Sequence, residues 1–363
     1  MVLVRFAIGL LFIASLIGCA SEHGGIPDAT FARAPLRTKA VPVLTVTKYG
    51  LPNVRSLCFS MLRGWYACSV NAGPHGITKG NDGALWFTQL VYSCVTAVRP
   101  PKCSGAIGRI TTNGSMIRYA LKNQARPWAI VNGPDGALWF TEQTSNKIGR
   151  ISLAGTITEY AIPSTSSSPV GIVTGSDRAL WFLLNGLTSR VARISTGGNI
   201  TEYVIPTANS NPFEIVSGSD GALWFGEYGS SKIGRITTTG KITEYPTPTK
   251  ASGPYSVARG ADGAVWFTET FANKVGRIAT NGKITEYPAG AMRGFNLIAN
   301  GPQGRLWFTE RPLNLATIAT TGKVSQYYLS GDVFDTGITT GPDDALWLSD
   351  DDSAGSAIAR VVP

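Results

Sequence analysis

The chain alternates short apolar runs with turn-forming residues, and this pattern recurs along its length. The clearest copy runs from Arg126 to Pro163 and contains four stretches of four to six residues rich in β-branched and aromatic side chains. Asp135-Gly136 and Ala154-Gly155 separate two pairs of these stretches, and glycine accepts the positive φ that tight hairpin turns require. No segment shows the 3.6-residue period of an amphipathic helix. The pattern predicts an all-β protein.

Seven tryptophans mark the copies of this pattern. They are spaced by 40 to 53 residues: Trp86, Trp139, Trp181, Trp224, Trp266, Trp307 and Trp347. Strand-rich units of about 40 residues are typical of propeller blades. Within each unit we expect the arginine of "GRI" and the glutamate of "TEY" to face each other across the last hairpin, as at Arg150 and Glu159.

The two ends of the chain complement each other. The last unit stops after Ile358-Ala359-Arg360-Val361 without a fourth strand, while Leu44 to Pro52 resembles that fourth strand with no unit before it. Joining them predicts a seven-bladed β-propeller over residues 43–363, with four antiparallel strands per blade. The N-terminal strand completes the last blade, which removes an open sheet edge.

The residues before the propeller predict export. Residues 1–19 read as a lipoprotein-type signal peptide, because one cation and an apolar run too short to span a bilayer precede Leu16-Ile17-Gly18-Cys19. That ending resembles a bacterial lipobox and implies a lipid on Cys19; ordinary signal cleavage is the alternative. Residues 20–42 are expected to be a flexible tether. We therefore predict an exported lipoprotein held at a membrane through Cys19, periplasmic or at the cell surface.

Four cysteines remain in the mature chain, and an even number in an exported protein favours two disulfides. Three pairings are possible, and we favour the local one: Cys58 with Cys68, and Cys94 with Cys103. Both pairs lie in long insertions of the first blade, next to the predicted channel mouth. The formal charge is +9, but the basic residues are scattered singly, so we expect no nucleic-acid partner. We also expect a monomer.

Two repeat positions are expected at one mouth of the central channel, because the first strand of an antiparallel blade starts where the second strand finishes. One follows the proline of most first strands, and we call this set the mouth ring: His75, Trp128, Val170, Phe213, Tyr255, Asn296 and Thr336. The other lies three residues after each repeated tryptophan, and we call this set the carboxylate ring: Gln89, Glu142, Leu184, Glu227, Glu269, Glu310 and Asp350.

Together the two rings predict an aromatic and acidic pocket. The candidate ligand-binding residues are Trp128, Phe213, Tyr255, Asn296 and Gln89. The candidate ligands of a Mg²⁺ or Ca²⁺ ion, both of which prefer oxygen, are Glu142, Asp350, Glu227, Glu269 and Glu310. Each ring also has a structural alternative, in which the aromatic residues pack on neighbouring blades and the carboxylates are merely solvated.

The blades resemble virginiamycin B lyase over residues 43–363, through "GPDGALWFTE", "NKIGRI", "GKITEYPTPT" and "GPHGIT". The resemblance implies a seven-bladed propeller and a Mg²⁺-assisted elimination that opens the ester of a cyclic depsipeptide. The catalytic histidine of that family lies in a P-H-G-I element, which here is Pro74-His75-Gly76-Ile77. His75 is therefore the candidate base for removing a proton α to a carbonyl.

Other positions depart from that family's pattern. Gln89 and Gly73 stand where the family has glutamates, Thr336 where it has a second histidine, and Trp128 where it has a tyrosine. Similar repeats therefore indicate the fold more strongly than the chemistry.

Three functions remain open. The preferred one is a binding module whose mouth accepts a small cyclic peptide, a glycan or a protein loop. The second is a lyase for streptogramin B-type depsipeptides, with His75 as base and Glu142 and Asp350 near a metal. The third is a lactonase-like metal hydrolase that uses Glu227, Glu269, Glu310 and Asn296.

Overall fold

A computed structural model describes residues 41–51, 54–60, 64–70, 72–91, 105–122, 125–289, 296–310, 314–330, 335–351 and 355–363. At 54–60, 64–70, 72, 91, 314 and 335 it describes the backbone alone. Val41–Pro363 forms one compact unit. Among the described residues no helix is long and apolar enough to cross a membrane.

The described strands form seven four-stranded antiparallel blades and one separate hairpin, and blades six and seven are joined in one eight-stranded sheet. The chain begins with β1 (Val43–Gly50) and the hairpin β2 (Val54–Ser60) and β3 (Gly64–Val70). Blade one contains β4 (Ala72–Lys79), β5 (Leu85–Val91), β6 (Ala106–Ile110) and β7 (Met116–Ala120). Blade two contains β8 (Pro127–Asn132), β9 (Leu138–Glu142), β10 (Lys147–Ile151) and β11 (Ile157–Ala161).

The middle blades repeat this order. Blade three contains β12 (Pro169–Thr174), β13 (Leu180–Asn185), β14 (Ser189–Ile194) and β15 (Ile200–Val204). Blade four contains β16 (Pro212–Ser217), β17 (Leu223–Glu227), β18 (Lys232–Ile236) and β19 (Ile242–Pro246). Blade five contains β20 (Pro254–Arg259), β21 (Val265–Glu269), β22 (Lys274–Ile278) and β23 (Ile284–Pro288).

The last two blades complete the ring. Blade six contains β24 (Ile298–Asn300), a 3₁₀ turn (Pro302–Gly304), β25 (Leu306–Glu310), β26 (Asn314–Ile318) and β27 (Val324–Leu329). Blade seven contains β28 (Asp335–Thr340), β29 (Leu346–Asp350) and β30 (Ala357–Val362), with β1 as its fourth strand. The all-β, seven-bladed prediction is confirmed.

The N-terminal strand closes the propeller as predicted. β1 pairs antiparallel with β30, from Thr45 opposite Val362 to Gly50 opposite Ala357. Its first residues also pair in parallel with β27, at Val43 opposite Tyr328. The strand therefore satisfies the open edge of blade seven and joins that blade to blade six.

Each repeated tryptophan is buried between blades, and six of the seven are bound to the hairpin that precedes them. In blade two the Trp139 indole Nε1 donates to Asp135 Oδ1 at 3.0 Å, and Arg150 Nε donates to Asp135 Oδ2 at 2.6 Å. The same aspartate, tryptophan and arginine triad occurs in six blades, at Asp82, Asp135, Asp177, Asp220, Asp262 and Asp343. One carboxylate thus ties a turn, a core indole and the third strand together.

The predicted pairing of the "GRI" arginine with the "TEY" glutamate is wrong. Arg150 lies opposite Thr158, whereas Glu159 lies opposite Gly149 on the other face of the sheet. Successive residues of a strand point to opposite faces, so a shift of one residue separates the two charges. Glu159 instead accepts from Lys147 Nζ at 2.5 Å.

Blade six lacks the triad, which leads to the first testable prediction. Gln303 stands in the place of the aspartate, Thr317 in the place of the arginine, and Trp307 Nε1 is buried without an acceptor among the described residues. We expect Gln303→Asp to raise the free energy of unfolding by about 1 kcal/mol, because it offers that indole an acceptor. Urea denaturation measures the gain.

The indole N–H signals in NMR spectra test the cause of that gain. Hydrogen exchange at the Trp307 indole should slow in the variant, while exchange at the Trp347 indole, which already has Asp343, should not change. A stability gain without slower exchange at Trp307 would contradict this explanation.

Candidate functional site

A β-bulge shapes the channel-facing strand of most blades. In β8 the register shifts between Pro127 and Ile130, so that two consecutive residues occupy the space of one. Equivalent shifts occur in β4, β12, β16, β20 and β28. Because a bulge inserts one extra residue, a second position stands directly after the mouth ring position in these strands. We call this second set the channel ring: Gly76, Ala129, Gly171, Glu214, Ser256, Leu297 and Gly337.

Hydroxyl groups on second strands fix several of these channel strands relative to each other. Thr141 Oγ1 accepts from the Ala129 amide at 3.1 Å and donates to the Val170 carbonyl of the next blade at 2.8 Å. Thr88 and Thr268 make the same connection in blades one and five. The channel wall is therefore built on rigid, hydrogen-bonded strands.

A cavity of about 130 Å³ lies inside the channel, and all seven blades contribute to its wall. Its polar side chains are His75, Glu214, Ser256 and Thr336. An aliphatic layer also borders it: Ile77, Ile130, Ile172, Val257, Ile298 and Ile338. Of the mouth ring, His75, Trp128 and Thr336 reach this cavity.

His75 lies at this cavity against Trp128. Its ring centroid is 3.8 Å from the Trp128 ring, and its Nδ1 is 3.1 Å from the Trp128 carbonyl oxygen. A carbonyl oxygen only accepts, so Nδ1 carries the proton and Nε2 keeps a free lone pair. Burial, with a smaller effect of the Arg126 charge, lowers the pKa of His75 to about 4. The imidazole is therefore neutral at neutral pH.

An aromatic cluster lies at the same mouth, on blades four and five. Phe213 and Tyr255, both predicted from the sequence, have ring centroids 5.1 Å apart. Tyr228 lies against both, and Phe271 lies 5.1 Å from Tyr228 with 62% of its surface exposed. We call these four residues the mouth patch. Tyr228 and Phe271 were not predicted from the sequence, although they lie one and two residues after the ends of β17 and β21 at the mouth.

The carboxylate ring is at the predicted end of the blades, but its members are enclosed. Glu142 lies opposite Pro127 and Glu227 opposite Pro212, which are the residues that precede the mouth ring. All five carboxylates and Gln89 have 3% or less of their surface exposed. The second strands therefore carry these side chains into the blades and away from the open channel.

Several of the enclosed side chains bond within their own blade. Glu142 accepts from Ser145 Oγ at 2.5 Å, and Glu227 from Ser230 Oγ at 2.7 Å. Glu310 accepts from Gln326 Nε2 at 2.8 Å. Further contacts of this kind join Asp350 Oδ2 to Lys48 Nζ at 2.7 Å, and Gln89 Oε1 to Arg118 Nε at 2.8 Å.

Burial, with a contribution from the neighbouring "TEY" glutamates, raises the pKa of three of these carboxyls to about 7. They are Glu142, Glu227 and Glu269. Within the described ranges no group of three or more histidine, cysteine, aspartate and glutamate side chains is placed to hold a metal ion. The assignment of metal ligands stays a prediction without an assembled ligand set.

The remaining predicted residues are placed as follows. Asn296 is fully buried and donates to the Thr309 carbonyl at 2.7 Å, so it does not face the cavity. The cysteines predicted to form disulfides fall on β2, on β3 and on residues 92–104, and Cys19 falls on residues 1–40, so their side chains lie outside the described residues. The disulfides and the lipid anchor stay predictions.

Glu214 is a channel residue that sequence analysis missed. It is the charged member of the channel ring, whose other six residues are glycine, alanine, serine or leucine. Burial raises the pKa of its carboxyl to about 7. The signal was present in the sequence, because the residue before each repeated Ile or Val is small or apolar in the other blades.

Comparisons with known proteins agree with this fold. The model of the Virginiamycin B lyase family matches residues 61–245 and 187–363. The chain is 35% identical over 114 residues to the virginiamycin B lyase of Nocardia farcinica, which covers 31% of this chain and 34% of that protein. The chain thus spans about a third of that relative's length.

Solved structures match over a longer range. The crystal structure of selenomethionine-substituted virginiamycin B lyase from Staphylococcus aureus is similar with a TM-score of 0.74 and 33% identity, covering 88% of this chain and 99% of that one. A catalytically inactive histidine-to-alanine variant of the Staphylococcus aureus enzyme, with quinupristin, gives the same TM-score and identity over the same coverage.

Proposed function

The chain belongs to the Virginiamycin B lyase family, and from this premise we propose that it is a binding propeller for cyclic peptides of the quinupristin type. The ligand would contact the mouth patch on one side of the channel and the His75 and Trp128 pair on the other. In this proposal Cys19 anchors the exported protein to a membrane, and the mouth faces the space outside the cytoplasm.

The enclosure of the carboxylate ring is the observation that carries the proposal. A metal-assisted elimination needs several oxygen or nitrogen ligands around one ion. Here Gln89 accepts from the Arg118 guanidinium, whose charge repels a cation, and the Thr336 hydroxyl donates to the Pro74 carbonyl at 2.6 Å. These residues do not fit a Mg²⁺ or Ca²⁺ site, so we derive no step through a metal.

The mouth patch supports recognition of an apolar, ring-shaped ligand. Aromatic rings supply large contact areas at a low cost in conformational entropy, and a few of them commonly provide most of the binding energy of an interface. Phe271 is exposed beside Tyr228, although an isolated side chain of this size would gain free energy by being buried. A cyclic peptide with aromatic groups would cover it.

We expect Phe271→Ala to weaken the binding of quinupristin by about tenfold, because it removes the most exposed ring of the mouth patch. Quenching of tryptophan fluorescence and isothermal titration calorimetry measure the affinity. Val204→Ala is the matched control, since it removes a side chain that is 58% exposed on the fourth strand of blade three and should leave the affinity unchanged. Equal affinities of the wild type and the Phe271→Ala variant would contradict this use of the mouth patch.

A lyase is the second candidate, and the protonation of His75 favours it. Nε2 keeps a lone pair beside the cavity, and it could take the proton α to a carbonyl while the Cβ–O ester bond breaks and a carboxylate leaves. The products are one linear molecule with a new C=C bond and the original mass. A linear product that appears on incubation with quinupristin, and that disappears with His75→Ala, would replace the binding proposal by this one.

A further inference from the structure

Glu214 places a carboxyl group inside the channel that has no partner among the described residues. Its side chain borders the cavity of about 130 Å³, and no lysine or arginine lines that cavity among the described residues. Among the residues that the structure describes, no hydrogen-bond donor lies within bonding distance of the Glu214 carboxylate. Buried carboxylates are normally paired, because an unpaired charge away from bulk water is costly.

The surroundings of Glu214 explain why its carboxyl holds a proton so strongly. The aliphatic layer that includes Ile172 and Val257 borders the same cavity, and burial raises the pKa of Glu214 to about 7. The other titratable side chain at this cavity is His75, which is neutral at neutral pH. A cation in the cavity would therefore meet one carboxylate on the described wall, while the nearby positive charge of Arg126 acts on His75 from outside that wall.

Two neutral groups at the cavity complement a donor of hydrogen bonds. His75 Nε2 has a free lone pair, because Nδ1 is bound to the Trp128 carbonyl. Ser256 Oγ accepts from the Ile298 amide at 3.2 Å and keeps a second lone pair. These directional acceptors suit N–H donors, whereas divalent ions take six or more oxygen ligands, usually with several carboxylates.

We propose that the channel cavity binds a small ammonium-type cation, with Glu214 as its counter-charge and with His75 Nε2 and Ser256 Oγ as further acceptors. The cation is either the ammonium ion or the terminal ammonium of a larger ligand. One water needs roughly 10 to 15 Å³ of such space, so the cavity accommodates a primary ammonium group together with waters. This site does not depend on the proposed binding of cyclic peptides at the mouth patch.

Thermal unfolding at pH 8 in ammonium or methylammonium chloride tests the site. A ligand of the folded state raises the melting temperature in a saturable way. Potassium chloride and tetramethylammonium chloride at the same ionic strength are the salt controls, since neither cation donates a hydrogen bond. We expect a saturable rise with the two ammonium salts only, and a weaker apparent affinity at pH 5.5, where Glu214 is protonated.

Substitutions locate the charge that is responsible. We expect Glu214→Gln to weaken the response to methylammonium at least tenfold. Glu244→Gln removes the same charge from the fourth strand of the same blade, where it pairs with Lys232, and should change the response less than twofold. If Glu214→Gln responds as the wild type does, or if potassium acts as well as ammonium, the proposal is overturned.

Two further measurements use the wild type alone. Calorimetric titration at pH 7 in buffers of different ionisation enthalpy should detect protons released when methylammonium binds, and binding without proton release would overturn the role of Glu214. Comparing the binding of ammonium with that of butylammonium distinguishes a resident ammonium ion from the terminal ammonium of a larger ligand. Tighter binding of butylammonium indicates the terminal group of a ligand, while binding of the ammonium ion alone indicates a resident ion.

Discussion

The free energy of unfolding is expected to fall by several kcal/mol as the pH rises from 5 to 8. Four carboxyls whose pKa is raised to about 7 by burial cause this fall: Glu142, Glu214, Glu227 and Glu269. Between the ordinary glutamate pKa of 4.5 and a pH of about 7, the folded state holds these protons and the unfolded state does not. In this range each carboxyl lowers the free energy of unfolding by on the order of 1 kcal/mol per pH unit.

The other titrating groups do not reverse this sign. Burial lowers the pKa of His75 from 6.5 to about 4, so His75 adds stability that is lost as the pH falls below 6.5. As the pH rises from 5 to 6.5, this gain in stability offsets the loss from one of the four carboxyls. The triad aspartates, such as Asp135 and Asp343, have a pKa below their usual value and stay ionised throughout this range. The net slope between pH 5 and 7 is therefore negative.

Urea denaturation at several pH values between 5 and 8 measures this slope. The combined Glu142→Gln, Glu227→Gln and Glu269→Gln variant should lose most of it, because a neutral amide replaces each buried acid. Glu244→Gln should keep most of it, since Glu244 is ionised in both states and burial, rather than the Glu244 charge, is the largest cause of the raised pKa of Glu227. A wild-type stability that rises from pH 5 to 8 would contradict the burial of protonated carboxyls.

The fold was predictable because its signals are local and repeated. The spacing of residues such as Trp139 and Trp181 defines the blades, and Asp135-Gly136 defines a hairpin turn whose glycine has φ of 78°. The closure by β1 was equally predictable, since the missing strand of one end matched the unpaired strand of the other. These inferences need only strand order and period.

The candidate site was less predictable, because the face on which a side chain lies depends on register and bulges. Position alone placed Glu142 and Glu227 at the correct end of their strands, but their enclosure beside Lys147 and Lys232 depends on pairing with the third strand. The bulges add one residue to these strands that a strict period of two does not show. Glu214 was overlooked for this reason.

The triad makes a second strong prediction, at the blade that closes the ring. Asp343 Oδ1 accepts from the Trp347 indole at 2.9 Å, and Asp343 Oδ2 accepts from Arg360 Nε at 2.6 Å. We expect Asp343→Asn to lower the free energy of unfolding by about 2 kcal/mol, because an amide cannot accept from both groups and leaves the guanidinium without its charge partner. Asp344→Asn is the matched control, since the adjacent Asp344 is exposed and should tolerate the change within about 0.5 kcal/mol.

The pH dependence of this penalty separates a charge effect from a packing effect. Burial alone would raise the pKa of Asp343, but the bonds from Trp347 and Arg360 outweigh it and hold the pKa below its usual value. A lowered pKa contributes stability above the unfolded pKa of 3.8 and loses it as the pH falls through the folded value. The difference between Asp343→Asn and the wild type should therefore shrink below pH 4, whereas a penalty that is constant with pH would indicate that the carboxylate charge contributes little to closing the ring.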